Sequence, residues 1–326
     1  MSETLITQIG VVVKDLRETL KEYHETLGWG PWNVYELKKP RHHQTELRGE
    51  EVEYTTRIAE TKVGNIDFEL IEPIDGPSIY KEHLEQYGEG LHHIACMGTG
   101  LNYKEYLQNF RNIGFEKTMA GSIDNIQYYY LNSESQLKII LESGSGHARS
   151  LEPDWVYPEN FRENETKITL TQIGIVVKDI KESLKQYTNL LGWGPWNVYE
   201  LNPSRLDQTE VNGEKVNYSS VIAETTVGNI DFELIEPVSG PSIYKEHIEQ
   251  FGEGLHHVAC MGTNSNHEEI FKIFNEKGYK KTMTGRIDEK IQYYYLDTDS
   301  KLKVIFETGS GHARSLKPDW IYPKSE

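Results

Sequence analysis

The sequence predicts an α+β protein built from four βαβββ modules, paired into two tandem domains. Three observations lead there. Long segments repeat at a constant offset. Runs of β-branched residues with period-two patterning alternate with runs of helical period. The order of these runs restarts once inside each repeat.

The repeat is read directly from the letters. ITQIGVVVKDL at 6–16 returns as LTQIGIVVKDI at 170–180, an offset of 164 residues (170 − 6). GWGPWNVYEL at 28–37 and GNIDFELIEP at 64–73 return at 192–201 and 228–237. GEGLHHIACMGT at 88–99 returns at 252–263 with one Ile changed to Val. One residue inserted near 288–290 makes the offset 165 (309 − 144) for GSGHARSL, at 144–151 and 309–316. A period this long excludes a solenoid and marks a duplicated domain. Residues 1–158 form the first domain, the polar stretch 159–167 a linker, and 168–326 the second domain. Each half is long enough to bury its own core.

Within one copy the elements follow in order. Ile6–Lys14 is β-branched and alternating, with Ile9, Val11 and Val13 on one face and Gln8, Gly10 and Val12 on the other. Asp15 is suited to cap a helix whose inner face is Leu16, Leu20, Tyr23 and Leu27, and Gly28 to end it. Strands are predicted at Trp32–Leu37, Glu53–Glu60 and Asn65–Glu72. The order then restarts, with a strand at Leu91–Met97, a helix over Tyr103–Ile113 and Gly114 behind it. Strands follow near Lys117–Ala120, Gln127–Leu131 and Leu137–Glu142. Two such modules side by side give a curved mixed sheet, with helices outside and an open cleft inside.

Composition narrows the function classes. The formal charge of −17 disfavours a nucleic-acid or anionic-membrane partner, because phosphates are repelled over most of the surface. The two cysteines, Cys96 and Cys260, lie in apolar runs and read as buried thiols rather than a disulfide. No basic segment followed by an apolar one opens the chain, and no apolar run nears the roughly 20 residues of a membrane span. A cytoplasmic location is the default expectation.

Four polar residues interrupt apolar strands at equivalent places in the two modules. Gln8 lies in the first strand of module one and Glu69 in its last; His93 and Glu142 hold the same places in module two. Alternation turns Glu69 away from Phe68 and Leu70. Leu137, Ile139 and Leu141 form a core row that leaves Glu142 facing the cleft. His92 and His93 are expected on opposite faces, with His93 matching Gln8. The second copy supplies Gln172, Glu233, His257 and Glu307. Carboxylates gathered in a partly dry cleft repel one another, and a divalent cation removes that repulsion. Two carboxylates, an imidazole and an amide oxygen suit zinc, nickel, cobalt or manganese, with up to two ions per chain.

The order Gln, Glu, His, Glu on first and last module strands resembles the glyoxalase I and methylmalonyl-CoA epimerase branch of the vicinal oxygen chelate superfamily. The segments that carry the resemblance are TQIGVVVKDL, ELIEPIDGPSIYKEHLEQYGEGLHHIA and LKIILE. The resemblance implies a metal-dependent isomerase, epimerase or lyase acting on a small-molecule carbonyl substrate. Such an enzyme moves a proton next to a carbonyl through a metal-stabilised enolate. It also implies that Glu142 and Glu307 are both ligand and base, with Glu69 and Glu233 serving the opposite face. Two copies in one chain mimic the dimer common in this superfamily, so a monomer is expected. The alternative is a non-catalytic binder, like the antibiotic-sequestering members.

Departures from the pattern narrow the reading. Glu89 and Val12 stand where glyoxalase I has basic residues for glutathione, which disfavours that substrate. The second catalytic Glu of the epimerases has its nearest match in Glu53, whose counterpart is Asn217. Gln8 in place of His argues against the Fe(II) dioxygenase branch. Trp29, Trp32 and Tyr35, with Trp196 in the second copy, either anchor their strand or form an aromatic wall for substrate. Tyr128 and Tyr130, and Tyr293 and Tyr295, alternate against their neighbours and are assigned to the cleft. GSGHARSL brings His147 and Arg149, and His312 and Arg314, either as groups that close over substrate or as a structural strap. His42 and His43, matched by Leu206 and Asp207, are expected in a surface loop.

Overall fold

A computed structural model describes residues 4–98, 102–162, 168–262 and 266–324. The chain divides into two compact units, Met1–Asn164 and Glu165–Glu326. In the first unit β1 (Thr4–Val12) leads to α1 (Leu16–Leu27), β2 (Trp32–Leu37), a hairpin of β3 (His42–Leu47) and β4 (Glu50–Glu51), β5 (Thr55–Val63) and β6 (Ile66–Asp75). Next come α2 (Ile79–Gln86), β7 (Gly90–Gly98), α3 (Tyr103–Asn112), β8 (Lys117–Ile123) and β9 (Ile126–Leu131). The unit ends with α4 (Glu134–Leu137), β10 (Ile140–Gly144), a single 3-10 turn at Ala148–Ser150, and β11 (Trp155–Tyr157). Asp15 accepts from the Glu18 amide and Gly28 sits at φ 68°, so both ends of α1 form as the sequence predicts.

These eleven strands join one sheet in the order β11-β2-β5-β6-β1-β7-β10-β9-β8-β3-β4, and the second unit repeats this order in its own sheet. The two modules of a copy meet where β1 runs antiparallel to β7. Modules therefore pair within each repeat. Parallel pairs β1–β6 and β7–β10 flank this seam, so the four strands that carry Gln8, Glu69, His93 and Glu142 are the four central neighbours.

The inserted hairpin decides the curvature. β2 and β3 lie eight positions apart in the sheet, about 38 Å if it were flat at roughly 4.8 Å per strand. They are joined by only four residues, 38–41, which reach at most about 18 Å. The sheet must curl until its two ends come together. α1 packs against β5 and β6 on the outside, and α3 against β7 and β10. Inside the curl lie Val12, Tyr35, Leu37, Tyr54, Ile58, Ile71, Met119, Tyr128 and Tyr130, with Ile79 and Tyr80 delivered by α2.

Several expectations are corrected. His42 is not in a surface loop: it is in β3, paired with β8, and 2% exposed. The insertion is illegible in the letters because its edge-forming hairpin carries little apolar periodicity. Residues 79–86, to which the sequence reading assigns no element, form α2, capped by Ser78, which accepts from the Lys81 amide. The last strand begins at Ile140; Leu137 closes a short helix and Lys138 takes a left-handed φ of 62°. Leu137, Ile139 and Leu141 are nonetheless all buried. The segment after Glu142 contains a 3-10 turn and leads into β11. In the stretch expected to link the domains, Phe161 belongs to the first compact unit and packs against His24 and over Gly30, while residues 163–167 lie outside the described set.

Trp32 takes the anchoring role. It is 0% exposed, its ring meets Tyr23 and Phe68 under α1, and its Nε1 donates to the Trp29 carbonyl at 3.0 Å. Trp196 repeats this against Tyr187 and Phe232. Both tryptophans therefore lie away from the cleft. Both cysteines are buried and free. Among the described residues no helix is long and apolar enough to cross a membrane. Removing so large a buried ring should cost about 3–5 kcal/mol. Trp32→Ala is expected to lower stability by that amount in urea unfolding, and a loss under about 1 kcal/mol would contradict its position.

Candidate metal centre

Each donor reaches the inside of the curl by backbone register. Glu69 sits on β6 opposite Gly10 of β1, and Gly10 in turn faces His93 of β7. A Cβ on Gly10 would lie 1.9 Å from His93 Cε1, so the imidazole occupies the space that glycine leaves. Gly174 and His257 repeat the arrangement at 1.8 Å. Tyr130 packs edge-on against the His93 ring from β9, with centroids 5.1 Å apart.

The expectation that His92 and His93 point to opposite faces fails. The register steps from Gly10↔His93 to Val11↔Leu91, which leaves His92 as the extra residue of a β-bulge. The bulge lets both rings meet, and their Nδ1 atoms are 3.0 Å apart. Alternation along a single strand cannot reveal such a bulge, because it depends on the partner strand. Its consequence is chemical. With Nδ1 of His93 engaged by His92, Nε2 is the nitrogen turned to the carboxylates. Burial, reinforced by His83 and His93, holds the His92 imidazole well below the usual range and therefore neutral.

His93 Nε2 lies 2.8 Å from Glu142 Oε2 and 3.6 Å from Glu69 Oε2. In the second unit His257 Nε2 is 3.0 Å from Glu307 Oε2 and 3.6 Å from Glu233 Oε2. The three donor atoms of each set lie within 4.8 Å of one another. All six atoms are buried, and none has a hydrogen-bond partner of acceptable geometry. Burial, then the charge of Glu142, pushes the Glu69 carboxyl well above the ordinary carboxylate range, and Glu233 behaves alike. Orphaned buried lone pairs around a shared point are costly, and a divalent cation satisfies all three at once. The donor chemistry thus fits a borderline N/O-binding ion.

Gln8 Nε2 donates to Glu60 Oε1 at 2.9 Å, and Gln172 Nε2 to Glu224 Oε1 at 3.0 Å. Sequence reading misses Glu60; Glu53, the expected match, is exposed and paired with Lys39 at 2.7 Å. Glu60 lies on β5 directly opposite Glu69. Unlike Glu53, it recurs in the second copy, which is the signal that could have found it. Burial, partly offset by a bond from the Arg149 amide, pushes its carboxyl up to about 7, and Glu224 matches it.

The cavity beside the donors is lined by Gln8, Glu60, Glu69, Tyr80, Tyr128, Tyr130, Glu142 and His147, with Ile58, Ile123 and Ile126 as apolar wall. Its free volume is about 30 Å³, room for about one or two waters. His147 and His312 are half-buried, and the Nε2 atom of each is buried and unpartnered. Arg149 is spent on Asp67 at 2.8 Å and Arg314 on Asp231 at 2.9 Å. Neither guanidinium is among the groups lining its cavity. GSGHARSL is therefore a strap that brings histidine, not arginine, to the site.

The two cavities share nearly every lining residue, yet the wall behind them differs. His42 Nε2 is 2.7 Å from the Tyr128 hydroxyl, which also meets Tyr54. In the second copy Leu206 replaces His42, and the Tyr293 hydroxyl meets that of Tyr218.

The sequence profile of the glyoxalase/bleomycin resistance protein/dioxygenase superfamily matches residues 7–130 and 171–295. The chain is 36% identical to an uncharacterized protein, YqjC, of Bacillus subtilis over 92 residues, 28% of this chain and 56% of that one. It thus spans about half the length of that curated relative. A mutant 4-hydroxymandelate synthase from Streptomyces coelicolor has a similar fold, with a TM-score of 0.58 and 12% identity over 94% of this chain and 92% of that one. A xylose isomerase-like TIM barrel/4-hydroxyphenylpyruvate dioxygenase fusion protein aligns with a TM-score of 0.54 and 10% identity, covering 97% of this chain and 51% of that one.

Two measurements test this geometry. Gly10→Ala should push the His93 ring aside, and tight metal binding should fall from two ions to one per chain by elemental analysis; retention of two would contradict the contact. His42 tests the buried wall through pH. Burial pushes its imidazole down to about 4 from 6.5. Its neutral form therefore supports folding fully above about pH 6.5, and that support is lost as the pH falls toward 4. His42→Leu should make the stability difference between about pH 7.5 and pH 5 smaller by about 2 kcal/mol. An unchanged slope in urea unfolding would refute the buried neutral histidine.

Proposed function

This chain belongs to the glyoxalase/bleomycin resistance protein/dioxygenase superfamily, and from that premise we propose that each half is a metal-dependent isomerase, epimerase or lyase that moves a proton next to a carbonyl. The observation that carries the reading is the convergence of Glu69 Oε2, His93 Nε2 and Glu142 Oε2 without hydrogen-bond partners, repeated in Glu233, His257 and Glu307. Gln8 and Gln172 complete the two sets. Zinc, nickel, cobalt and manganese are the candidate ions. Such an ion would act as a Lewis acid toward the carbonyl oxygen and offset the negative charge that develops when the neighbouring carbon loses its proton.

The side chains account for the remaining tasks. Glu142 and Glu307 are the more exposed carboxylates of each set, 14% against 8% for Glu69 and Glu233, which suits them to reach the substrate carbon as base. Glu69 and Glu233 stand on the other side of the imidazole, available to the opposite face of a planar intermediate. Burial raises the Tyr80 and Tyr130 phenols well above their ordinary range, so they stay protonated as hydrogen-bond donors. The isoleucines keep bulk water from the reacting carbon.

Cavity size limits the substrate to a small carbonyl compound or the carbonyl end of a larger one. Glutathione is disfavoured on residues. Glu89, where a basic group would be needed, accepts from the Lys14 amide at 2.8 Å, and Val12 is buried in the inner apolar cluster.

The test is solvent deuterium exchange, followed by mass spectrometry, into α-hydroxy-ketones, hemithioacetals and acyl-CoA thioesters. Metal-loaded protein should label at least one class at the carbon beside the carbonyl. Glu142→Gln with Glu307→Gln should slow labelling by about 10²–10⁴-fold. No labelling by metal-loaded protein, or undiminished labelling by the double variant, defeats the proposal.

A further inference from the structure

Glu60 and Glu224 lie outside the donor sets yet touch them in the same way in both units. Each is buried, and each uses both carboxylate oxygens. Glu60 Oε1 accepts from Gln8 Nε2 at 2.9 Å and Oε2 accepts from the Arg149 backbone amide. Glu224 Oε1 accepts from Gln172 Nε2 at 3.0 Å and Oε2 from the Arg314 amide at 2.6 Å. The register puts Glu60 opposite Glu69 and Glu224 opposite Glu233, so the location is dictated by strand pairing.

An amide side chain is nearly the same shape at both ends, and only its hydrogen-bond partner decides which end points where. Glu60 meets two N–H donors and offers acceptors to both, so Gln8 must turn its nitrogen outward to Glu60 and its oxygen the other way. A cation binds the oxygen and not the NH2 group. We propose that Glu60 and Glu224 are positioning residues that keep the Gln8 and Gln172 amides oxygen-first toward the cation and tie that orientation to the strap through the Arg149 and Arg314 amides. The inference rests on the metal-centre reading above, and predicts which residues outside the donor sets set its affinity.

The chemistry of a Glu→Gln change makes the proposal testable. In Glu60→Gln the new amide has one oxygen for two donors. The strap amide is part of the backbone and cannot turn round, so the substituted side chain gives it the oxygen and presents NH2 to Gln8. Gln8 must then flip and offer its own nitrogen to the cation.

The experiment is calorimetric titration of the chelator-stripped full chain with Mn²⁺ alone. The unaltered chain should bind two ions. Glu60→Gln with Glu224→Gln should weaken binding about 10–100-fold. Gln8→Leu with Gln172→Leu should weaken it by a similar factor, and the four changes together should add little, since both pairs remove one interaction. Wild-type affinity in the Glu60→Gln, Glu224→Gln chain, or full additivity of the two pairs, overturns the inference while leaving the metal centre intact. Absence of binding by the unaltered chain removes the metal centre itself. Should the variants not fold, side-chain amide resonances of the ¹⁵N-glutamine-labelled natural protein decide. Gln8 and Gln172 amide protons should be protected from exchange, and exchange at the solvent rate overturns the clamp.

Discussion

The structure depends on one electrostatic constraint, the gathering of carboxyl groups at the seam between two modules. Strand pairing forces Glu69, Glu60 and Glu142 toward the same interior, with Asp67 close by, and His93 and the amide of Gln8 stand among them. The nearby guanidinium, Arg149, is engaged on Asp67. Burial and the neighbouring carboxylates make ionisation of Glu60 and Glu69 expensive, as their raised carboxyls record. The arrangement becomes favourable when a cation shares the lone pairs, so the fold stores at its centre an affinity that its own residues leave unsatisfied.

Everything around the seam serves to hold that arrangement in a small space. Gly10 makes room for the imidazole, the bulge at His92 turns Nδ1 of His93 away from the donors, and Tyr130 braces the ring. The curl of the sheet brings its two ends together, and α2 adds Tyr80, whose hydroxyl lies 2.7 Å from that of Tyr130. The strap seals the side by its bonds to Glu60 and Asp67. Rigid strands, rather than loops, carry all the donors, which favours a fixed coordination geometry over an adaptable one.

Duplication preserved this centre closely. The principal difference lies one layer back, where His42 in one copy stands for Leu206 in the other. In the first copy the Tyr128 hydroxyl is shared between His42 and Tyr54; in the second, Tyr293 meets Tyr218 beside a leucine. The two cavities therefore have the same donors but a different hydrogen-bonding state at one wall, a place where two copies of one site can diverge without disturbing the centre.

The repeat, the restart of module order inside it, and the strand positions of Gln8, Glu69, His93 and Glu142 are all legible in the letters alone. Repetition and side-chain periodicity are local properties of the chain, which is why one segment at a time suffices to read them. The remaining features exist only once distant segments meet. The hairpin at His42 joins a strand far away in sequence, so no local pattern reveals it. His92 lies beside His93 because β1 lacks a residue to face it. Trp32 and Trp196 are anchors because α1 and its counterpart cover that side of the sheet. Glu60 sits in an ordinary-looking strand and becomes part of the centre only when β5 pairs with β6. Arg149 reads in isolation either as a group that closes over substrate or as part of a strap, and Asp67 claims its charge in the fold. In each case the missing information is the identity of a partner brought from far along the chain, which patterning in one segment does not contain.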